Sequence, residues 1–172
     1  MTDGTLRLRL QPLPALRLAQ VSAQVDDVDE IAATVEALFW TLTARLAAAG
    51  APMSGRVIRT YSGRPDGSKI DVAVGVTLAQ GADPAAGLES AGLESAGLES
   101  AELPAVERGA VATHRRAANG TDDPWLAVDA VLAERGLESW GLYRQVRLED
   151  TDDDRHVFEL QCPVREIGGG CP

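Results

Sequence analysis

The sequence predicts an α+β fold: a strand–helix–strand–strand unit duplicated in tandem, giving one curved antiparallel sheet with two helices on one side and a central ligand groove. Three observations carry this. Leu13-Pro14-Ala15 and Leu103-Pro104-Ala105 each open a run of the same element signals. Each run holds one amphipathic helix with a cap and a glycine stop. Each run closes on a strand whose residues alternate between apolar and small or polar.

The elements follow in order. Leu16–Ala23 and Val106–His114 are apolar stretches suited to strands. In the first half Asp27 is placed to cap a helix, with Glu30 at the third position of a capping box. Val28, Ile31, Val35, Leu38, Phe39, Leu42 and Leu46 then recur at helical spacing, and Gly50 supplies the stop. In the second half Asp123 caps and Pro124 suits the first helical position. Trp125, Val128 and Leu132 form the stripe, and Gly136 ends it. Gly55 leads into a strand over Arg56–Tyr61, and Gly141 into one over Leu142–Leu148. Polar hairpins over Ser62–Lys69 and Glu149–Arg155 precede the closing strands Ile70–Leu78 and His156–Val164. One helix cannot cover the apolar sheet face of one unit, so two units sharing a sheet solve the burial problem. A groove along their seam is the expected ligand site. The expected organisation is one domain over residues 1–166, with halves at 11–80 and 103–166, a linker at 81–102 and a tail at 167–172.

The linker is compositionally distinct. Ala-Gly-Leu-Glu-Ser stands three times in succession from Ala86 to Ser100. At about 100° per residue, a five-residue period advances each leucine by about 140°, so Leu88, Leu93 and Leu98 form no helical stripe. With a glycine in every copy, the segment reads as a connector.

Composition narrows the partners. The 172 residues, 45% of them hydrophobic, are enough for one sizeable core. Sixteen Lys and Arg against 26 Asp and Glu give a formal net charge of -10. Such a surface repels phosphate backbones, so nucleic acid is not an expected partner. It favours cations, weakly at physiological salt. No apolar run approaches the ~18 residues of a membrane span, and Arg7, Arg9 and Arg17 interrupt any signal core. Cys162 and Cys171 make no disulfide framework, and a reducing cytoplasm is the simplest expectation. His114 and His156 lack metal-ligand spacing, and no phosphate-binding glycine loop or serine elbow occurs, so no metal or cofactor is expected.

The closing strands supply the candidate site. Asp71, Ala73, Gly75 and Thr77 share one strand face, Glu159, Gln161 and Pro163 the corresponding one. A carboxylate between Phe158 and Leu160 could pair with a ligand cation or act as a base. It could equally pair with Arg59 or Arg147. Aromatic lining would come from Trp40, Tyr61, Trp125, Trp140 and Tyr143.

The duplicated unit, the Leu103-Pro104-Ala105 restart, the helix ending at Gly136, the Gly141 turn, the Leu148-Glu149-Asp150 hairpin entry and the closing Glu159-Leu160-Gln161-Cys162-Pro163-Val164 together resemble the GyrI-like small-molecule-binding proteins. These share their fold with the effector-binding domains of multidrug-sensing transcription activators. The resemblance covers about residues 11–166 without the linker. It implies a ligand groove with an acidic residue of the closing strand at its centre, which falls on Glu159, with Asp71 as the first-half counterpart. It also implies lipophilic, aromatic or cationic ligands. Arg147 stands where relatives often carry tyrosine, and Tyr143 is the candidate substitute.

The expected function is a stand-alone binder of small aromatic or cationic molecules through Glu159, Asp71, Tyr61, Trp125, Trp140, Tyr143 and Trp40. The alternative, which the resemblance also implies, is a cofactor-independent hydrolase opening the strained cyclopropane ring of reactive antibiotics, with Glu159 as general base and an aromatic such as Tyr143 or Trp140 orienting the substrate. A second alternative is an acidic inhibitor of a protein partner.

Overall fold

A computed structural model describes residues 6–50, 55–63, 69–78, 95–117, 124–150 and 155–168. Its strands are β1 (Leu8–Leu13), β2 (Leu16–Val25), β3 (Val57–Gly63), β4 (Ile70–Thr77), β5 (Glu99–Leu103), β6 (Val106–Ala117), β7 (Leu137–Ser139), β8 (Tyr143–Asp150) and β9 (Arg155–Glu166). The helices are α1 (Ile31–Ala48), entered through a 3-10 turn at Val28–Glu30, and α2 (Pro124–Glu134). The fold is α+β with antiparallel strand pairing, and the strand–helix–strand–strand order occurs twice. The chain forms two compact units, Pro14–Ala105 and Met1–Leu13 with Val106–Pro172.

In the unit Pro14–Ala105, the sheet runs β3-β4-β2-β5. The capping box forms as the sequence specifies. Asp29 N donates to Asp27 Oδ1 at 3.1 Å, and Asp27 N donates to Glu30 Oε2 at 3.3 Å. These bonds satisfy backbone donors that have no partner within the helix. Gly50 ends the helix at φ 66°, a left-handed conformation that costs glycine nothing. Val28–Ala48 is long and apolar enough to cross a membrane by composition. Val35, Leu42 and Leu46 are buried with Val21, Val72, Val74 and Val76, which line one face of β2 and β4.

In the other unit the sheet runs β1-β6-β9-β8, with β7 pairing to β9. Pro124 is the first residue of α2. Val128 and Leu132 pack on Ala110, Ala112, Leu160, Cys162 and Val164, so alternate residues of β6 and β9 form the helix-covered face. Glu159 and Gln161 belong to the opposite face.

Three strands depart from the sequence expectation. β1 pairs with β6, so the N-terminal strand belongs to the second-half unit although it precedes the first half. β5 begins inside the expected linker and runs one residue past it: Glu99–Leu103 pair with β2, and Leu98 is buried at 2% exposure. The third Ala-Gly-Leu-Glu-Ser copy is therefore structural rather than a connector. β7 was not expected at all. The Asp123 cap, the hairpin tips at 64–68 and 151–154, the first two repeat copies up to residue 94 and Cys171 lie outside the described residues.

Candidate binding face around Glu159

Glu159 sits mid-strand in β9, between Thr113 of β6 and Val146 of β8. Two residues on, Gln161 lies between Val111 and Arg144. Cross-strand partners share a face, so these six side chains form one patch. Val111 and Val146 are buried apolar floor, and Arg144 is 1% exposed. Thr113 is exposed and Glu159 half-buried, so the patch opens at the carboxylate end.

Gln161 Nε2 donates to Glu159 Oε1 at 2.6 Å. A carboxylate only accepts, so the amide must turn its NH2 toward Glu159 and its oxygen away. That hydrogen bond to an ion contributes about 1.5–3 kcal/mol and fixes the carboxylate. Gln161 Oε1 is buried and has no hydrogen-bond partner among the described residues. An unmet acceptor of this kind costs about 1–3 kcal/mol. Burial draws the Arg144 guanidinium below its ordinary pKa.

The helix-covered face carries a separate polar cluster. Tyr143 stands one residue before Arg144 and so points to the other side. Its hydroxyl lies 2.8 Å from Ser139 Oγ, and Ser139 Oγ donates to Asp129 Oδ1 at 2.9 Å. Ser139 has one proton, and Asp129 takes it, so Tyr143 donates to Ser139. Trp125 packs edge-on to Tyr143 with ring centroids 4.9 Å apart. Burial pushes the Tyr143 phenol above its ordinary 10.0, and the Asp129 charge adds to the shift.

The sequence-predicted residues are thus divided. Glu159 lies on the face of its sheet away from α2, whereas Trp125 and Tyr143 lie together on the helix-covered face. The structure does not bring Glu159 and Tyr143 side by side. Trp140 is half-exposed, its backbone N–H donating to Pro163 O at 3.0 Å. Arg147 pairs with Phe158 in register, off the Glu159 face. In the other unit, Asp71 is exposed on β4, Tyr61 packs against the α1 core, and Trp40 is exposed on α1 beside Phe39 at 5.7 Å. Sequence reasoning missed Arg144, Thr113 and Val146, because only the β8–β9 and β6–β9 registers reveal them as neighbours of Glu159. Among the described residues, no group of three His, Cys, Asp or Glu side chains is placed to hold a metal.

No family model and no curated protein matches the chain. Solved structures do. The C-terminal domain of EcmrR superposes with a TM-score of 0.61 at 10% identity, covering 94% of this chain and 98% of that one. SAV2435 bound to tetraphenylphosphonium gives 0.56 at 12% identity, covering 94% and 95%. A hydrolase from Listeria innocua gives 0.55 at 10% identity, covering 92% of each. The agreement spans nearly the whole length of both partners in each case. The chain has the GyrI-like fold of the effector-binding domains.

Proposed function

We propose that this protein binds small lipophilic, aromatic cations, with Glu159 as the counter-ion on the face of β9 away from α2. The observation that carries the reading is the Gln161–Glu159 hydrogen bond of 2.6 Å over a floor of Val111 and Val146. It holds a half-buried carboxylate in one orientation beside apolar surface, which is what recognition of an organic cation needs. Arg144 shares the face but is deeply buried, so an arriving cation meets the carboxylate first. The likeness of fold to SAV2435, seen with tetraphenylphosphonium, supports the ligand class. The net charge of -10 favours cation encounter. Binding is preferred to hydrolysis because Tyr143, one candidate to orient a ring-opening substrate, points away from Glu159.

Calorimetric titration with tetraphenylphosphonium tests this. Glu159→Gln removes the charge, keeps the shape, and is expected to weaken binding tenfold or more, about 1.4 kcal/mol. Equal affinity of the variant, or no binding by the native chain, would overturn the reading.

A further inference from the structure

The third Ala-Gly-Leu-Glu-Ser copy fills a fitted receptor on α1 and β2. Ala96 packs against the α1 core, and Leu98 is buried in it at 2% exposure. Gly97 turns the chain at φ 74°, and its carbonyl accepts from Arg45 Nη1 at 2.5 Å. Glu99 accepts from Ser22 Oγ at 3.0 Å, and Ser100 stands opposite Ala19. The strand then continues with Ala101, Glu102 and the buried Leu103.

The two upstream copies carry the same five residues. Over positions 96–103 the receptor holds Ala-Gly-Leu-Glu-Ser-Ala-Glu-Leu, and residues 91–98 read Ala-Gly-Leu-Glu-Ser-Ala-Gly-Leu. A shift of the chain by five residues thus replaces every occupant by an identical one, except that Gly97 takes the place of Glu102. A shift by ten gives the same result with residues 86–93. Glu102 is exposed, and its ion pair with Arg17 is a loose 4.0 Å. Exposed pairs of that kind contribute little. Two leucines enter the core in any register, Leu98 and Leu103 or their counterparts. The five residues gained by one connection are lost by the other, and loop length changes closure entropy only slowly. Strand register is strongly fixed when a slip moves apolar residues off the core face. Here it moves none.

We infer that the α1–β2 receptor binds any of the three Ala-Gly-Leu-Glu-Ser segments of its own chain, and that β5 exchanges among registers five residues apart. The native register dominates because Glu102 suits a strand better than glycine does.

Gly97→Val discriminates. In the native register it forces a β-branched residue into left-handed backbone, a costly conformation. In the register shifted by five, position 97 becomes the exposed strand site of Glu102, where valine is favourable. Leu93→Asp closes this escape, because position 93 enters the core in both shifted registers. Thermal unfolding of the four chains forms a double-mutant cycle. Gly97→Val is expected to lower Tm by about 5 °C or more when Leu93→Asp is present, and by less than half as much when it is absent. An equal loss in both backgrounds, or full loss of folding from Gly97→Val alone, would overturn the exchange.

Discussion

Glu159 and Gln161 show how much one strand can say about itself. Alternation assigns both to the face away from Leu160 and Cys162, and the hydrogen bond between them is the direct result of that two-residue spacing. What the strand cannot say is who stands beside it. The register between β8 and β9 shifts between Arg147 and Glu149, and such an irregularity leaves no local signature that would place Val146 and Arg144 beside Glu159. That is why Tyr143 could be paired with Glu159 on sequence grounds and yet lies on the opposite face. Arg147, read from sequence as a neutraliser of Glu159, is displaced from it for the same reason. A second residue-scale consequence concerns Gly109 of β6. A Cβ there would stand 2.5 Å from Leu13 Cγ, and Leu13 is 2% exposed. Gly109→Ala is expected to cost about 1–3 kcal/mol by overpacking. Chemical denaturation checks this, and pairing it with Leu13→Ala should recover part of the loss, since the smaller residue makes room.

At the scale of elements, helices were easier to foresee than edge strands. The Asp27–Glu30 box, the Gly50 stop and the Val35, Leu42 and Leu46 stripe all act within one turn or one face, so the helix announces itself locally. Pro124 and Gly136 do the same for α2. β1, β5 and β7 are different. Their stability resides in partners far along the chain: β6 for Leu8–Leu13, β2 for Glu99–Leu103 and β9 for Leu137–Ser139. Low-complexity sequence hid β5 most fully, because Leu98 counts as a core residue only once the α1 surface it fills is known. The packing of α2 on β9 has a chemical consequence. Cys162 is fully buried under that helix, and burial, with the nearby Asp129 charge, pushes its thiol from 9.0 to about 12. Its neutral form is therefore preferred in the folded state. The resulting stabilisation is complete below pH 9 and is lost as pH rises toward 12. In a Cys171→Ser chain, Cys162 is expected to resist thiol reagents at pH 8 until the protein is unfolded. Stability measured by denaturant should fall as pH rises through that window, and less so in Cys162→Ala.

At the scale of the molecule, the duplication was legible because both halves repeat the same punctuation: Leu-Pro-Ala, cap, stop, glycine turn and closing strand. The exchange of the N-terminal strand was not legible, because Leu8–Leu13 sits in sequence beside the half it does not pair with. The GyrI-like fold follows from the element order, and the neighbours of 10–12% identity show that order surviving with little else retained. The central claim is narrower than the fold: that a cation is held on the Glu159 face and not on the Trp125–Tyr143 face. Side-chain chemical shifts, recorded while tetraphenylphosphonium is titrated into the isotope-labelled protein, separate the two directly. The account predicts that the methyl groups of Val146 and Thr113 and the Gln161 amide shift with the ligand, while the Val128 and Leu132 methyls stay in place. Movement of the Trp125 indole with the α2 methyls, and none at Val146, Thr113 and Gln161, would contradict it.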